Sequence, residues 1–162
     1  MKVLAALSAL ALLSGCGLQP LYAGGSSGAV AQGLGAIDVP AIPERAGWLM
    51  RNALMDRFGH NSGPAARYRL DVVLDDDLEA LGLLTDDTIG RERRTLRARY
   101  QLVDLSTGTV LVDASAGSDA GIDVVSSEYA TISAEQTALE NLTQEVADQI
   151  TARLSLVLRE AQ

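Results

Sequence analysis

Two periodicities divide the chain. From Tyr68 the apolar positions alternate, with Tyr68, Leu70, Val72 and Leu74 set against Arg67, Arg69, Asp71 and Val73, as in a half-buried strand. A second period-two run from about Thr88 to Asp104 buries Leu96, Ala98, Tyr100 and Leu102. A third is marked by Val110, Val112 and Ala114 and extends towards Gly117. The last two are joined by Asp104-Leu105-Ser106-Thr107-Gly108-Thr109, a hairpin loop in which Gly108 suits a positive φ. Three strands in this order predict an antiparallel meander.

Elsewhere the spacing is helical. Leu49, Met50, Ala53, Leu54 and Phe58 follow Pro43 and Glu44, a start signal, and precede Gly59, a stop signal. Trp48 lies beside this stripe, at its core or its rim. From about Ser127 to Arg159, Ile132, Leu139, Leu142, Val146, Ile150, Leu154, Val157 and Leu158 keep a three-to-four spacing without Gly or Pro. Ser126 or Ser127 is positioned to cap that helix, whose apolar stripe needs the meander to cover. A short strand, Ala36 to Val39, is closed by Pro40. The expected fold is therefore α+β, in the order β-α-β-β-β-α. It is a four-stranded sheet with two helices packed on one face, the first strand joining parallel through a right-handed crossover.

The first residues have a different character. Lys2 is followed by Val3 to Leu13, apolar apart from Ser8, which is the charged and apolar pair of regions of an export signal. Leu12-Leu13-Ser14-Gly15-Cys16 resembles the bacterial lipobox, in which cleavage precedes a cysteine that becomes acylated. A lone cysteine in an oxidising compartment has no internal partner, and lipidation resolves that difficulty. Gly17, where inner-membrane lipoproteins typically carry Asp, points to the outer membrane. The expected organisation is a signal peptide over 1–15, a lipidated N-terminus and flexible tether over 16–35, rich in Gly and Ser, and one domain over 36–162.

Charge narrows the function classes. The formal net charge is −8, and the chain has one Trp, one Phe and four Tyr, so it lacks the basic footprint and stacking platforms of a nucleic-acid binder. The acidic run Asp75-Asp76-Asp77 with Glu79 lacks the Gly and closing Glu of a calcium loop and suits a solvated strand end. His60, the one histidine, falls in a Gly-His-Asn-Ser-Gly turn, so no nucleophile–base constellation is assembled. No enzyme, cofactor or metal is expected. The informative polar feature is arginine. Arg91, Arg93, Arg97 and Arg99 share one strand face, with Arg67 and Arg69 on the same face of the neighbouring strand, while Arg94 lies on the other side. Cross-strand pairing with Asp71, Asp75 or neighbouring carboxylates is one reading. The other is a site for phosphate or carboxylate, since the arginines outnumber the acids expected near them.

Several stretches together resemble one family. Cys16-Gly17-Leu18-Gln19-Pro20-Leu21-Tyr22 is similar to the mature start of LptE, the lipopolysaccharide-assembly lipoprotein, in its alphaproteobacterial form. Similar too are Tyr68-Arg69-Leu70, Tyr100-Gln101-Leu102-Val103-Asp104 through Thr107-Gly108, and Ser127-Glu128-Tyr129-Ala130 with Ala134-Glu135. Ala147-Asp148-Gln149-Ile150 with Arg153-Leu154 continues the match. The resemblance implies a plug within the LptD β-barrel that serves lipopolysaccharide insertion into the outer leaflet. It also implies help in barrel assembly, lipopolysaccharide binding, and a periplasmic-side anchor at Cys16. The arginines belong to no motif of the family. Arg67, Arg69, Arg91, Arg93, Arg97 and Arg99 are thus candidates by chemistry alone, for lipopolysaccharide or for the partner. With no lysine after Lys2, lysine-based contacts do not transfer. The alternative is another outer-membrane lipoprotein, serving as a periplasmic adaptor or small-lipid binder.

Overall fold

The computed structural model describes residues 28–59, 66–81 and 90–160. Cys16, the export segment, most of the tether and His60 lie outside the described residues. The elements are α1 (Ala29–Gly35), β1 (Ile37–Asp38), α2 (Glu44–Phe58), β2 (Tyr68–Ala80), β3 (Arg91–Asp104), β4 (Val110–Asp123) and α3 (Glu128–Glu160). The sheet order is β1-β2-β3-β4; β1 is parallel to β2, and the remaining pairs are antiparallel. The α+β class and the mixed four-stranded sheet match the expectation. The element order does not, because a helix precedes β1.

That extra helix, α1, lies in the stretch expected to be tether. Its Gly33 and Gly35 obscure a one-turn repeat, Val30 and Leu34, both buried. Gly33 lets α1 sit close against α3, since a Cβ there would already stand 3.3 Å from Leu158 Cδ1. The core is continuous from Val30 and Leu34 through Met50, Leu54 and Phe58 to Leu70, Leu96, Leu102, Ile150 and Leu154. Trp48 is 64% exposed and belongs to the rim.

The long helix α3 follows its predicted stripe. Ser127 caps it, its Oγ accepting from the Ala130 N–H at 3.4 Å. Thr143, Thr151 and Ser155 interrupt the stripe and are nevertheless buried. Each hydroxyl donates to the carbonyl four residues back, at 2.7, 2.7 and 2.8 Å, so none is left unsatisfied in the core. Arg57 ties α2 to α3 by donating to Asp148 Oδ1 at 2.7 Å and to Gln144 Oε1 at 2.9 Å.

Two strand expectations need correction. The acidic run does not end β2. The strand continues to Ala80, with Asp75, Asp76 and Asp77 paired to Arg97, Leu96 and Thr95, because β3 offers a full-length partner. Val110 does not share a buried face with Val112 and Ala114. The register shifts between Leu102 and Val103, so that Val112 and Val110 are their partners and Leu111 is the extra residue. This bulge turns Val110 outward, 48% exposed, while Val112 stays in the core.

Candidate functional site

The sheet has one face covered by helices and one left open. Even-numbered positions of β3 point into the core, with Leu96, Ala98, Tyr100 and Leu102 at 0, 0, 2 and 0% exposure. The period of two then places Arg91, Arg93, Arg97 and Arg99 side by side on the open face, joined by Arg69 from β2. Arg67 precedes β2 and lies over the Tyr68 ring, its guanidinium carbon 5.1 Å from the ring centroid. The structure therefore brings five of the six candidates to one face of the sheet, while Arg67 sits at the sheet's end against the buried Tyr68 and Asp104.

It also sets specific carboxylates beside them. Arg91 meets Asp123 at 3.3 Å, Arg93 meets Asp119 at 3.9 Å, and Arg99 meets Asp113 at 3.2 Å. All three carboxylates come from β4. Arg69 pairs with Asp71 at 2.9 Å on its own strand, and Arg67 with Asp104 at 3.5 Å in the hairpin. The expectation that arginines outnumber nearby acids is thus corrected: five of the six have a carboxylate partner. The apolar alternation of β4 fades after Gly117, where Ser118-Asp119-Ala120-Gly121 carries little apolar signal. The acids at 113, 119 and 123 nevertheless keep the period of two.

Arg97 is the exception. Its cross-strand neighbours are Asp75 and Gly117, and among the described residues no carboxylate lies within ion-pair distance of it. It borders a shallow depression of about 480 Å³ shared with Val73, Asp75, Arg99 and Ser115. Val73, 71% exposed, gives this place an apolar neighbour.

The pairs alter the titration of their members. Hydrogen bonds from Arg99, and then Gln101, hold the Asp113 carboxyl below the usual carboxylate range, and the same pairing raises the Arg99 guanidinium. Arg69 is raised likewise by Asp71. Asp104 is lowered chiefly by the Ser106 hydroxyl and N–H, with Arg67 adding a smaller attraction. Arg94, on the helix-covered side, is different in kind. It chelates Asp76 with Nε–Oδ1 at 2.8 Å and Nη2–Oδ2 at 2.6 Å, and Nη1 donates to the Glu135 carbonyl at 3.0 Å. That geometry fastens β2 and β3 to α3. Among the described residues no group of three or more acidic, His or Cys side chains is arranged to hold a metal ion, and no helix is long and apolar enough to cross a membrane.

A four-stranded mixed sheet with three helices is a fold that this chain shares with bacterial lipoproteins of solved structure. At 26% identity and a TM-score of 0.70, the chain is similar to a candidate lipoprotein of Caulobacter crescentus CB15, the match covering 83% of this chain and 98% of that one. It is similar in fold to the rare lipoprotein B of Shewanella oneidensis, at 10% identity and a TM-score of 0.60, over 77% and 96% of the two chains. A minor lipoprotein of Acinetobacter baumannii gives 16%, 0.53, 74% and 88%. No curated protein sequence matches the chain. The model of the family described as LptE, lipopolysaccharide-assembly, matches residues 34–154, from the end of α1 to the last turns of α3. The chain belongs to the LptE family of lipopolysaccharide-assembly lipoproteins, a structural lipoprotein family not known as enzymes.

Proposed function

We propose that this protein is the lipoprotein partner of an LptD-type outer-membrane β-barrel. It sits as the barrel's plug while lipopolysaccharide passes to the outer leaflet, and it assists assembly of the barrel. The observation that carries this reading is the family match over 34–154, which spans every strand of the sheet and so includes the open face. Cys16, acylated, anchors the domain at the periplasmic side of the outer membrane; two or more acyl chains suffice for stable attachment, at about 0.8 kcal/mol per buried methylene.

The arginine face has a role in this reading despite its ion pairs. Exposed pairs contribute only about 0–1 kcal/mol each, so a guanidinium is readily exchanged from an aspartate to a lipid A phosphate or an acidic barrel-wall side chain. Arg97, with no carboxylate partner among the described residues, needs no such exchange. Arg99, beside it on the same face, is the next to recruit.

A detergent extract of outer membranes, captured through a C-terminal tag, tests the reading. One large integral barrel recovered at near-equal stoichiometry is the expected result. A preparation free of any barrel would overturn it in favour of a free periplasmic adaptor.

A further inference from the structure

The edge of β4 departs from the rest of the fold. Gly117 donates its N–H to Gln149 Oε1 at 3.3 Å and accepts from Gln149 Nε2 at 3.2 Å, so a side chain of α3 takes the place of a neighbouring strand. Antiparallel ladders alternate inward and outward backbone groups. Gly117 therefore marks the outward set, and Asp119, Gly121 and Asp123 share its parity. Val124, of the opposite parity, donates inward to the Gly90 carbonyl at 3.2 Å. Beyond Gly117 the Gln149 bracket stops, and no hydrogen bond among the described residues covers the outward groups of those three.

Alongside them runs a solvent-open groove of about 630 Å³ between β4 and the first half of α3. Its helical wall includes Ala130, Ala134 and Ala138, small side chains one turn apart. An edge strand flanked by a helix is the arrangement that accepts an extended peptide by strand addition, with main-chain hydrogen bonds supplying the affinity.

We propose that this groove docks an extended, basic polypeptide segment of a partner protein, which joins the sheet as a fifth strand beside β4. Charge selects the occupant. Residues 100–152 carry nine Asp or Glu and no Lys, Arg or His. Asp119, Asp123 and Glu145 line the groove itself; Arg93 and Arg91 face the first two at 3.9 and 3.3 Å, exposed pairs of the kind a basic strand exchanges. No segment of this chain outside the described residues supplies the complement: residues 1–27 hold only Lys2, 60–65 only His60, and 82–89 and 161–162 none. A second copy pairing β4 to β4 would set Asp119 and Asp123 of the two chains against one another, which is repulsive.

The test is amide NMR of the full chain in detergent micelles, titrated with the peptide acetyl-Val-Arg-Val-Thr-Val-Arg-Val-amide. Two controls accompany it, one with Glu for both Arg and one N-methylated at alternate backbone positions. The basic peptide is expected to shift the Asp119, Gly121 and Asp123 amides saturably, with each control weaker by about tenfold or more. Gly121→Pro is expected to lose binding by about tenfold as well, since it deletes an outward N–H that an edge strand does not use internally. Its ring has room, as a Cβ at this position meets nothing nearer than Arg91 Nε at 3.8 Å. Should that variant fold poorly, Ala134→Arg blocks the groove from the helix side and is expected to act likewise. Equal binding of the N-methylated peptide would overturn the proposal. So would shifts confined to the arginine face, self-association at the same amides without peptide, or no binding. None of these outcomes bears on recovery of a barrel, so the two readings fail separately.

Discussion

At the scale of single residues, the tightest constraint in the described structure is Gly47. A Cβ there would lie 2.5 Å from the Ile42 carbonyl oxygen and 2.6 Å from its carbon, both backbone atoms that cannot swing aside. The segment from Pro40 to Pro43 folds back over the first turn of α2, and Glu44 begins the helix at φ 67°, a left-handed conformation costly for a side-chain-bearing residue. In an ordinary helix Gly→Ala gains about 0.5–1 kcal/mol; here Gly47→Ala is expected to lose about 1–3 kcal/mol from the clash. Urea denaturation checks the sign, with Gly33→Ala as the control, where the nearest atom is the movable Leu158 Cδ1. Asp104 supplies a second residue-scale prediction. Its carboxylate is held by Ser106 and Arg67, and its pKa is lowered in the folded state. A depressed carboxylate contributes stability that is complete above its unfolded pKa of about 3.9 and is lost as pH falls below that value. Asp104→Asn is therefore expected to lower the melting temperature at neutral pH and to flatten its decline below about pH 4. A wild-type-like acid limb in the variant would remove Asp104 from the account.

At the scale of elements, what was legible in the chain followed from periodicity. Leu96 through Leu102 announce a strand because every second residue is apolar, and Leu139 through Leu158 announce a helix by spacing and by the absence of Gly and Pro. Gly108, at φ 71°, sits where the hairpin needs it. What was hidden lacked that signal. The Gly-rich composition of α1 imitates a linker, and β4 after Gly117 is built of small and acidic residues. The acidic end of β2 is solvated, as its composition suggests, and only β3 laid beside it shows that the strand runs on through it. The tie across that end is itself testable. The Arg94 and Asp76 side chains retain 16% and 18% exposure, and their two-pronged bond carries the Glu135 carbonyl with it. Hydrogen bonds to charged groups contribute about 1.5–3 kcal/mol, so Arg94→Ala and Asp76→Ala are each expected to cost that much. The double variant is expected to cost less than the sum, because both remove one shared interaction. Strict additivity in a double-mutant cycle would show that the two side chains act independently.

At the scale of the whole molecule, charge is sorted by element. β3 carries five arginines between positions 91 and 99, while everything from 100 to 152 is without a cation. The open face is consequently not a bare positive patch. It is a lattice of opposed charges in which Arg97 has no carboxylate partner among the described residues and Arg99 is held by Asp113. If lipid A phosphates compete for these guanidinium groups, affinity is governed by how easily each one is released. Arg97→Glu with Arg99→Glu is then expected to weaken lipopolysaccharide binding by about tenfold or more while the circular dichroism spectrum is unchanged. Binding by the wild type should also fall with added salt, since the exposed charges are screened over about 8 Å at physiological ionic strength. The decisive variant is Asp113→Asn. It leaves every arginine in place and removes the aspartate that competes for Arg99, so binding is expected to strengthen. A positive patch acting only through its summed field would gain as well, so the variant is paired with Asp123→Asn, which changes net charge equally but releases Arg91, at the far end of the face from Arg99. Equal gains from the two would assign the binding to overall charge, whereas a gain confined to Asp113→Asn would place the phosphate at Arg97 and Arg99.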